Sequence, residues 1–289
     1  MQNLPNRPKV NPLASLMRQP KLHVKLPSQG KFWPDGSIDM PDNGELAVFS
    51  MTAKDELLLK NPATQVGGQT LVDAIQSCIP AIKNAWQAPG FDLDTILIAI
   101  RIATYGPSMT VPVTVEGITH EYEVDLTKVL QSIDETVTWE DQLILDNGMV
   151  IFIHPLLYSA VSKASEESKE TRKIMDIVND DKLDEDKKIE MFRKSFVKLT
   201  NITLGAVADS ITKIVTEDHV VVEDPIYIQE FMNQCDRELF NTIRQKINQL
   251  TENNSIKPIL EKATPEMIAV GAPEFIEVPV EFTPANFFK

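Results

Sequence analysis

One stretch of the sequence, residues 91–106, constrains the fold more than any other. It reads FDLDTILIAIRIATYG, so a helix formed here is apolar on nearly every side. Such a helix must lie inside a core, because no orientation keeps its apolar side chains away from water. Asp92 or Asp94 is expected to cap its start, and Gly106 is a typical helix stop. We expect this helix at the centre of the protein, with Arg101 snorkelling or ion-paired at the edge of the core.

Length and charge exclude several classes of protein. The chain has 289 residues, 43% of them apolar, which is enough for one large or two modest domains. A formal net charge of −14 argues against binding to nucleic acid or anionic lipid, since both require Lys and Arg that neutralise phosphates. Two cysteines cannot form a disulfide framework, and no signal peptide or apolar run of about 18–20 residues is visible. We expect a soluble intracellular protein whose partners, if it has any, are basic.

The first half of the chain is predicted to be a flexible arm followed by an α+β domain. Residues 1–21 contain four prolines and scattered charge, which is typical of an arm without regular structure. Residues 22–154 are predicted to form β-hairpins around buried short helices. The predicted hairpins turn at residues 43–44, 116–117 and 147–148, and the predicted short helices cover residues 52–61, 70–79 and 126–133.

The second half is predicted to be a helical domain, residues 155–256, and an extended arm, residues 257–289. After a polar helix that begins at Pro155, three helices carry apolar stripes. The stripes are Ile189, Phe192, Phe196 and Leu199, then Leu204, Val207, Ala208, Ile211, Ile214 and Val215, then Phe231, Cys235, Leu239, Ile243, Ile247 and Leu250. The prolines of the arm prevent a long helix, and its end alternates like a strand, so we expect it to dock on the N-terminal domain or on a partner.

No arrangement of residues predicts catalysis, a cofactor or a metal. The four histidines, at positions 23, 120, 154 and 219, are spread over nearly two hundred positions without a metal-ligand spacing. The glycines form no nucleotide-binding pattern. Cys78 and Cys235 each lie in an apolar stripe, so both are expected to be core residues rather than nucleophiles. We expect a protein that is not an enzyme and has no cofactor.

Several motifs in one order resemble the baseplate hub assembly protein family of T-even-like contractile-tailed phages. They lie at residues 26–33, 51–56, 61–62, 78–84, 98–106, 178–181, 225–237, 278–282 and 286–288, so the resemblance covers about residues 22–288. Some members carry a Cys-x-x-Cys pair before the final strand. Residues 263–273 have no cysteine, which argues against a zinc role for this chain.

The resemblance implies a non-enzymatic protein that assembles the hub of a phage tail baseplate, either as a minor subunit or as a transient factor. Its partners would be other baseplate hub or tail proteins, with self-association left open. Its location would be the host cell cytoplasm during assembly, with the virion baseplate as a second location. Two alternatives remain: a tail assembly chaperone that grips a tail protein through exposed aromatic residues, and an unrecognised hydrolase. The candidates for partner contact are Phe32, Trp33, Phe282, Phe287 and Phe288.

Overall fold

The computed structural model of the protein describes residues 13, 17–61, 68–133, 138–179 and 184–280. Helices and small sheets follow one another along the chain, and every strand pairing between these residues is antiparallel. The fold class is therefore α+β, which confirms the prediction.

The N-terminal part folds as a two-stranded sheet followed by three helices. Strand β1 (Pro20–Lys25) pairs antiparallel with β2 (Glu45–Phe49). The predicted hairpin at residues 43–44 is wrong, because β2 finds its partner in β1 and not in residues 37–40. The helices are α1 (Ala53–Lys60), α2 (Gln69–Cys78) and α3 (Gly90–Tyr105).

Local capping signals explain some of these helix ends. A capping box starts α1: Thr52 Oγ1 accepts from the Asp55 N–H at 3.2 Å, and Asp55 Oδ2 accepts from the Thr52 N–H at 2.8 Å. Helix α3 stops at Gly106, whose φ of 91° favours glycine. The start of α3 has no side-chain cap, so the predicted capping by Asp92 or Asp94 is wrong; both residues lie inside the helix.

A hairpin and a short helix follow α3, as predicted. Strands β3 (Ser108–Val115) and β4 (Ile118–Asp125) pair along their whole length. Their turn has positive φ at Glu116 and Gly117. Helix α4 (Leu126–Ser132) begins directly after β4, where the Asp125 side chain accepts a hydrogen bond from the Thr127 N–H at 2.9 Å.

Besides the pairs β1–β2 and β3–β4, the chain forms a four-stranded sheet, which we call the second sheet. It joins residues that are far apart in the sequence. Its order is β5 (Gln142–Ile144), β6 (Val150–Ile153), β7 (Ile211–Val215) and β8 (Val221–Val222). The β5–β6 hairpin was predicted, but residues 211–215 were expected to continue a helix. They form a strand because they pair with β6, and so the segment 155–256 is not entirely helical.

Four helices make up most of the second half: α5 (Tyr158–Asn179), α6 (Glu185–Asp209), α7 (Pro225–Gln234) and α8 (Arg237–Asn254). Helices α5 and α6 lie against each other as a long pair. The sequence predicts one helix from residue 225 to 250, but the chain breaks at Cys235. Asp236 then caps α8 by accepting a hydrogen bond from the Leu239 N–H at 2.8 Å.

The described part of the C-terminal segment is a hairpin around a short helix. Strand β9 (Ile259–Lys262) pairs with β10 (Phe275–Val278), and α9 (Pro265–Ala269) lies between them. Both strands are extended, as predicted, and the segment departs from the prediction at the short helix α9. The hairpin lies on the N-terminal part of the chain, where the Tyr122 hydroxyl donates to the Lys262 carbonyl oxygen at 3.1 Å.

Two separate clusters of buried side chains form the interior. The first core is built from β1–β4, α1–α4 and the β9–α9–β10 segment. The second core joins β6 and β7 to the C-terminal end of α6 and to α7 and α8. Ile151 and Ile153, just before the predicted domain boundary at residue 154, belong to the second core.

Helix α3 lies at the centre of the first core, as its sequence predicts. Ile96, Ile98 and Ala99 have no exposed surface, and Ile100 is 1% exposed. An apolar side chain with no exposed surface contributes to stability the full free energy of removing its surface from water. The position of α3 therefore decides how the surrounding strands and helices pack.

We predict that Ile98→Ala lowers the free energy of unfolding by about 2–5 kcal/mol, because it removes buried surface and leaves a cavity. The matched control is Ile226→Ala, which makes the same change in α7 at a side chain that is 73% exposed. Urea denaturation should show a change below about 1 kcal/mol for the control. Equal losses in the two variants would contradict the placement of the core.

Candidate partner-binding surfaces

The first two candidate residues lie in the turn that follows β1, and they differ in exposure. Trp33 is only 7% exposed, and its indole Nε1 donates to Asp92 Oδ2 at 2.7 Å. Trp33 is therefore an internal side chain with almost no surface left for a partner. Phe32 is half-buried and keeps part of its ring at the surface.

Asp92 holds this turn against the start of α3. Its Oδ1 accepts from the Ser28 N–H at 3.0 Å, and its Oδ2 accepts from the Ser28 hydroxyl and the Trp33 indole. The side chain has no exposed surface. Burial raises the pKa of Asp92, while the hydrogen bonds from Ser28 and Trp33 oppose that rise. Asp92 is therefore a structural acceptor that three buried donors share.

Phe32 takes part in a cluster of three aromatic rings that joins the two halves of the chain. Its ring centroid lies 6.0 Å from that of Phe91 and 6.1 Å from that of Trp139, and the Phe91 and Trp139 centroids are 6.1 Å apart. Trp139 donates its indole N–H to the carbonyl oxygen of Ile153 at 2.9 Å. The cluster therefore connects the turn after β1 with the second sheet.

A cavity of about 220 Å³ adjoins this cluster. Its wall consists of the start of α3, Trp139, the residues before α5 and the C-terminal end of α8. The lining residues are Gly90, Phe91, Leu93, Asp94, Trp139, Pro155, Leu156, Thr251, Asn254 and Ser255. Asp94 is the one charged residue among them.

Asp94 differs from Asp92 in being half-buried and in having no partner among the described residues. Burial raises the pKa of Asp94 to about 7, and no hydrogen bond or ion pair from another described residue reaches its carboxylate. The sequence analysis placed Asp94 only as a helix cap. No signal in the sequence distinguishes it from Asp92, because both are acidic residues near the start of one helix.

A second surface lies on the N-terminal half of α6. Ile189, Phe192 and Phe196 are exposed, and the rings of Phe192 and Phe196 lie parallel with centroids 6.1 Å apart. The sequence analysis identified these residues as an apolar stripe, which is normally a face that packs inward. Here the stripe faces away from the cores, so we call these three residues the α6 stripe.

Arg101, expected to snorkel or to be ion-paired, is buried, and no ion pair from another described residue reaches it. It is 7% exposed, and its guanidinium lies over the Tyr105 ring, 4.6 Å from the centroid. Its Nε and Nη1 have no hydrogen-bond partner within the described ranges, and Nη2 approaches the Ser108 carbonyl oxygen at 3.5 Å. Burial lowers the pKa of Arg101. Stacking on Tyr105 thus replaces the expected pairing.

The remaining three candidates, Phe282, Phe287 and Phe288, lie outside the described residues. Of the candidates that the structure describes, Phe32 is the one that keeps part of its ring at the surface.

The described chain offers little that suits catalysis. Burial raises the pKa of Cys78 to about 12, so its thiol stays protonated at neutral pH. Burial also raises the pKa of Cys235. No group of three or more His, Cys, Asp or Glu side chains is placed to hold a metal ion in the described part. Within the same ranges, no helix combines the length and apolar character that a membrane crossing requires.

Comparison with known protein families identifies the chain. Residues 17–258 match the family described as T4 bacteriophage base plate protein. The chain belongs to this family. The matched range of this base plate protein includes Asp92, the cavity beside Asp94 and the α6 stripe, and it ends before β9. No match is found among curated proteins or among solved structures.

We predict that Asp94 makes the base plate protein less stable as the pH rises. The folded-state pKa of about 7 is above the unfolded value of 3.8, so the folded state holds a proton that the unfolded state has lost. The resulting penalty is absent at low pH, grows as the pH rises toward 7, and is fully present above it. Asp94→Asn removes this penalty. In urea denaturation, the free energy of unfolding of the variant minus that of the wild type should therefore rise by about 2 kcal/mol between pH 5.5 and pH 8.

The control for this prediction is Asp218→Asn, which changes an exposed aspartate. Its stability relative to the wild type should be the same at both pH values. If the Asp94 variant also keeps a constant difference, the carboxylate is not buried as described.

Proposed function

We propose that this base plate protein acts in assembly of the baseplate hub, as a minor hub subunit or a transient assembly factor, and that it is not an enzyme. The observation that carries the proposal is the family match over residues 17–258. The finer assignment to the hub rests on the motifs that resemble hub assembly proteins, such as residues 26–33 and 98–106.

The proposed partners are other baseplate hub or tail proteins, and the proposed contact is the α6 stripe. Ile189, Phe192 and Phe196 are spaced by three and four residues, which is the spacing with which one helix packs against another. Exposed apolar patches on a protein surface commonly mark such contacts. We therefore propose that a helix of a baseplate partner covers the stripe. Phe32, Phe282, Phe287 and Phe288 remain candidates for further contact.

The charge of the chain supports partners of a particular kind. With a net charge of −14, the protein repels nucleic acid and anionic lipid and favours basic protein surfaces. We propose no contact with either nucleic acid or membrane. Assembly would take place in the host cell cytoplasm, with the virion baseplate as the later location.

A tail assembly chaperone is the weaker alternative. That alternative requires exposed aromatic residues, and Phe32 and Trp33 in the turn after β1 are two of the five candidates. Trp33 is buried and hydrogen-bonded to Asp92, which removes one of the two side chains from such a surface. A hydrolase with Cys78 as nucleophile has still less support, because burial keeps that thiol protonated.

Fractionation of infected cells tests the proposal. We expect the protein to co-sediment with baseplate hub proteins in the lysate, either in purified virions as a subunit or only in assembly intermediates as a transient factor. Co-sedimentation with an isolated, unassembled tail protein and never with hub intermediates would instead identify a chaperone. Loss of the protein should block hub assembly, and normal baseplates in its absence would contradict the proposal.

A further inference from the structure

The cavity beside Asp94 has the chemistry of a receptor for a cation. Its carboxylate faces a largely apolar wall in which the rings of Phe91 and Trp139 are the largest groups. Asp94 is half-buried in this wall. A carboxylate that loses part of its hydration there, with no donor from a described residue, is less well solvated than in water. Functional sites are common where a protein tolerates such a loss.

The polar groups of the wall present hydrogen-bond acceptors. The hydroxyls of Thr251 and Ser255 donate their protons to the carbonyl oxygens of Ile247 and Glu252, at 2.8 and 3.0 Å. Each hydroxyl oxygen therefore keeps its lone pairs as acceptors.

Asn254 follows the same pattern. Its Nδ2 donates to the carbonyl oxygens of Thr138 and Leu250, at 3.2 and 2.8 Å, which leaves Oδ1 as an acceptor. The polar side chains of this lining are thus acceptors and one carboxylate, which suits a ligand that carries several donors and a positive charge.

The chain supplies no such cation itself within its described part. No Lys, Arg or His lines the cavity. Lys257 lines a neighbouring cavity of about 290 Å³, and its Nζ donates to the carbonyl oxygen of Glu252 at 2.6 Å. Lys257 therefore has a backbone partner of its own, and no described cation pairs with Asp94.

We propose that this cavity binds the ammonium or guanidinium group of a lysine or arginine side chain from a baseplate partner, paired with Asp94. The inference rests on the proposed function for the identity of the partner. A cavity of about 220 Å³ is smaller than the usual small-molecule pocket of about 300–1,000 Å³ but accommodates one long side chain. Phe91 and Trp139 add aromatic surfaces that attract a cation, and the acidic chain favours a basic partner.

The test uses the full chain and n-butylammonium as a probe, with n-butylguanidinium as a second cation and n-butanol as a neutral control. At pH 8 Asp94 is mostly ionised, since its pKa is about 7. We expect saturable shifts of the amide NMR signals of residues 90–94 and 251–255 with both cations and none with butanol. Asp94→Asn should weaken cation binding by about tenfold or more, while Asp218→Asn should leave it unchanged.

Two outcomes overturn the inference. Equal binding of the cations to the wild type and to Asp94→Asn, or no binding to either, would show that the cavity is not a cation site. Spermidine distinguishes a free polyamine from a side chain: it should bind no more tightly than n-butylammonium. Binding of spermidine that is much tighter would identify a free polyamine as the ligand. These binding results do not depend on the fractionation of infected cells, so failure here leaves the proposed function standing.

Discussion

The carboxylate of Asp92 is the interaction on which the arrangement of the N-terminal part depends. Helix α3 is apolar almost throughout, so any polar group brought beside it must find a hydrogen bond inside the core. Asp92 supplies two acceptor atoms at the start of the helix, and Ser28 and Trp33 use both of them. These bonds fix the turn after β1, which in turn places Phe32 against Phe91 and Trp139. One carboxylate thereby sets the geometry between the first core and the second sheet.

Asp94 lies two residues further along the same helix and has the opposite character. Asp92 is surrounded by donors, whereas no described residue donates to Asp94. Asp92 is fully buried with its hydrogen bonds made, which helps to define the fold, whereas Asp94 is half-buried at the wall of a cavity. The contrast separates the structural role of Asp92 from the binding role that we propose for Asp94.

The sequence was sufficient for features that local chemistry determines. The capping box at Thr52, the glycine stop after α3 and the turn at Glu116 were all predicted because each depends on neighbouring residues. The pairing of β2 with β1 and the strand character of β7 were missed, since each depends on a distant partner. Ile211 and Ile214 suit the period of a helix, and only their pairing with β6 makes them a strand. For the surfaces, the sequence identified the residues of the α6 stripe and Phe32 but not their exposure, which depends on tertiary packing.

The central claim is that this base plate protein works by contact with another baseplate protein, through the α6 stripe. The most direct test replaces Phe196 with the photo-crosslinker p-benzoylphenylalanine in infected cells, with the same replacement at the exposed Leu57 as a control. Irradiation should crosslink position 196 to a hub or tail protein, with little or no crosslink from position 57. Assembly of normal baseplates without any crosslink at 196, or with equal crosslinks from both positions, would contradict the account.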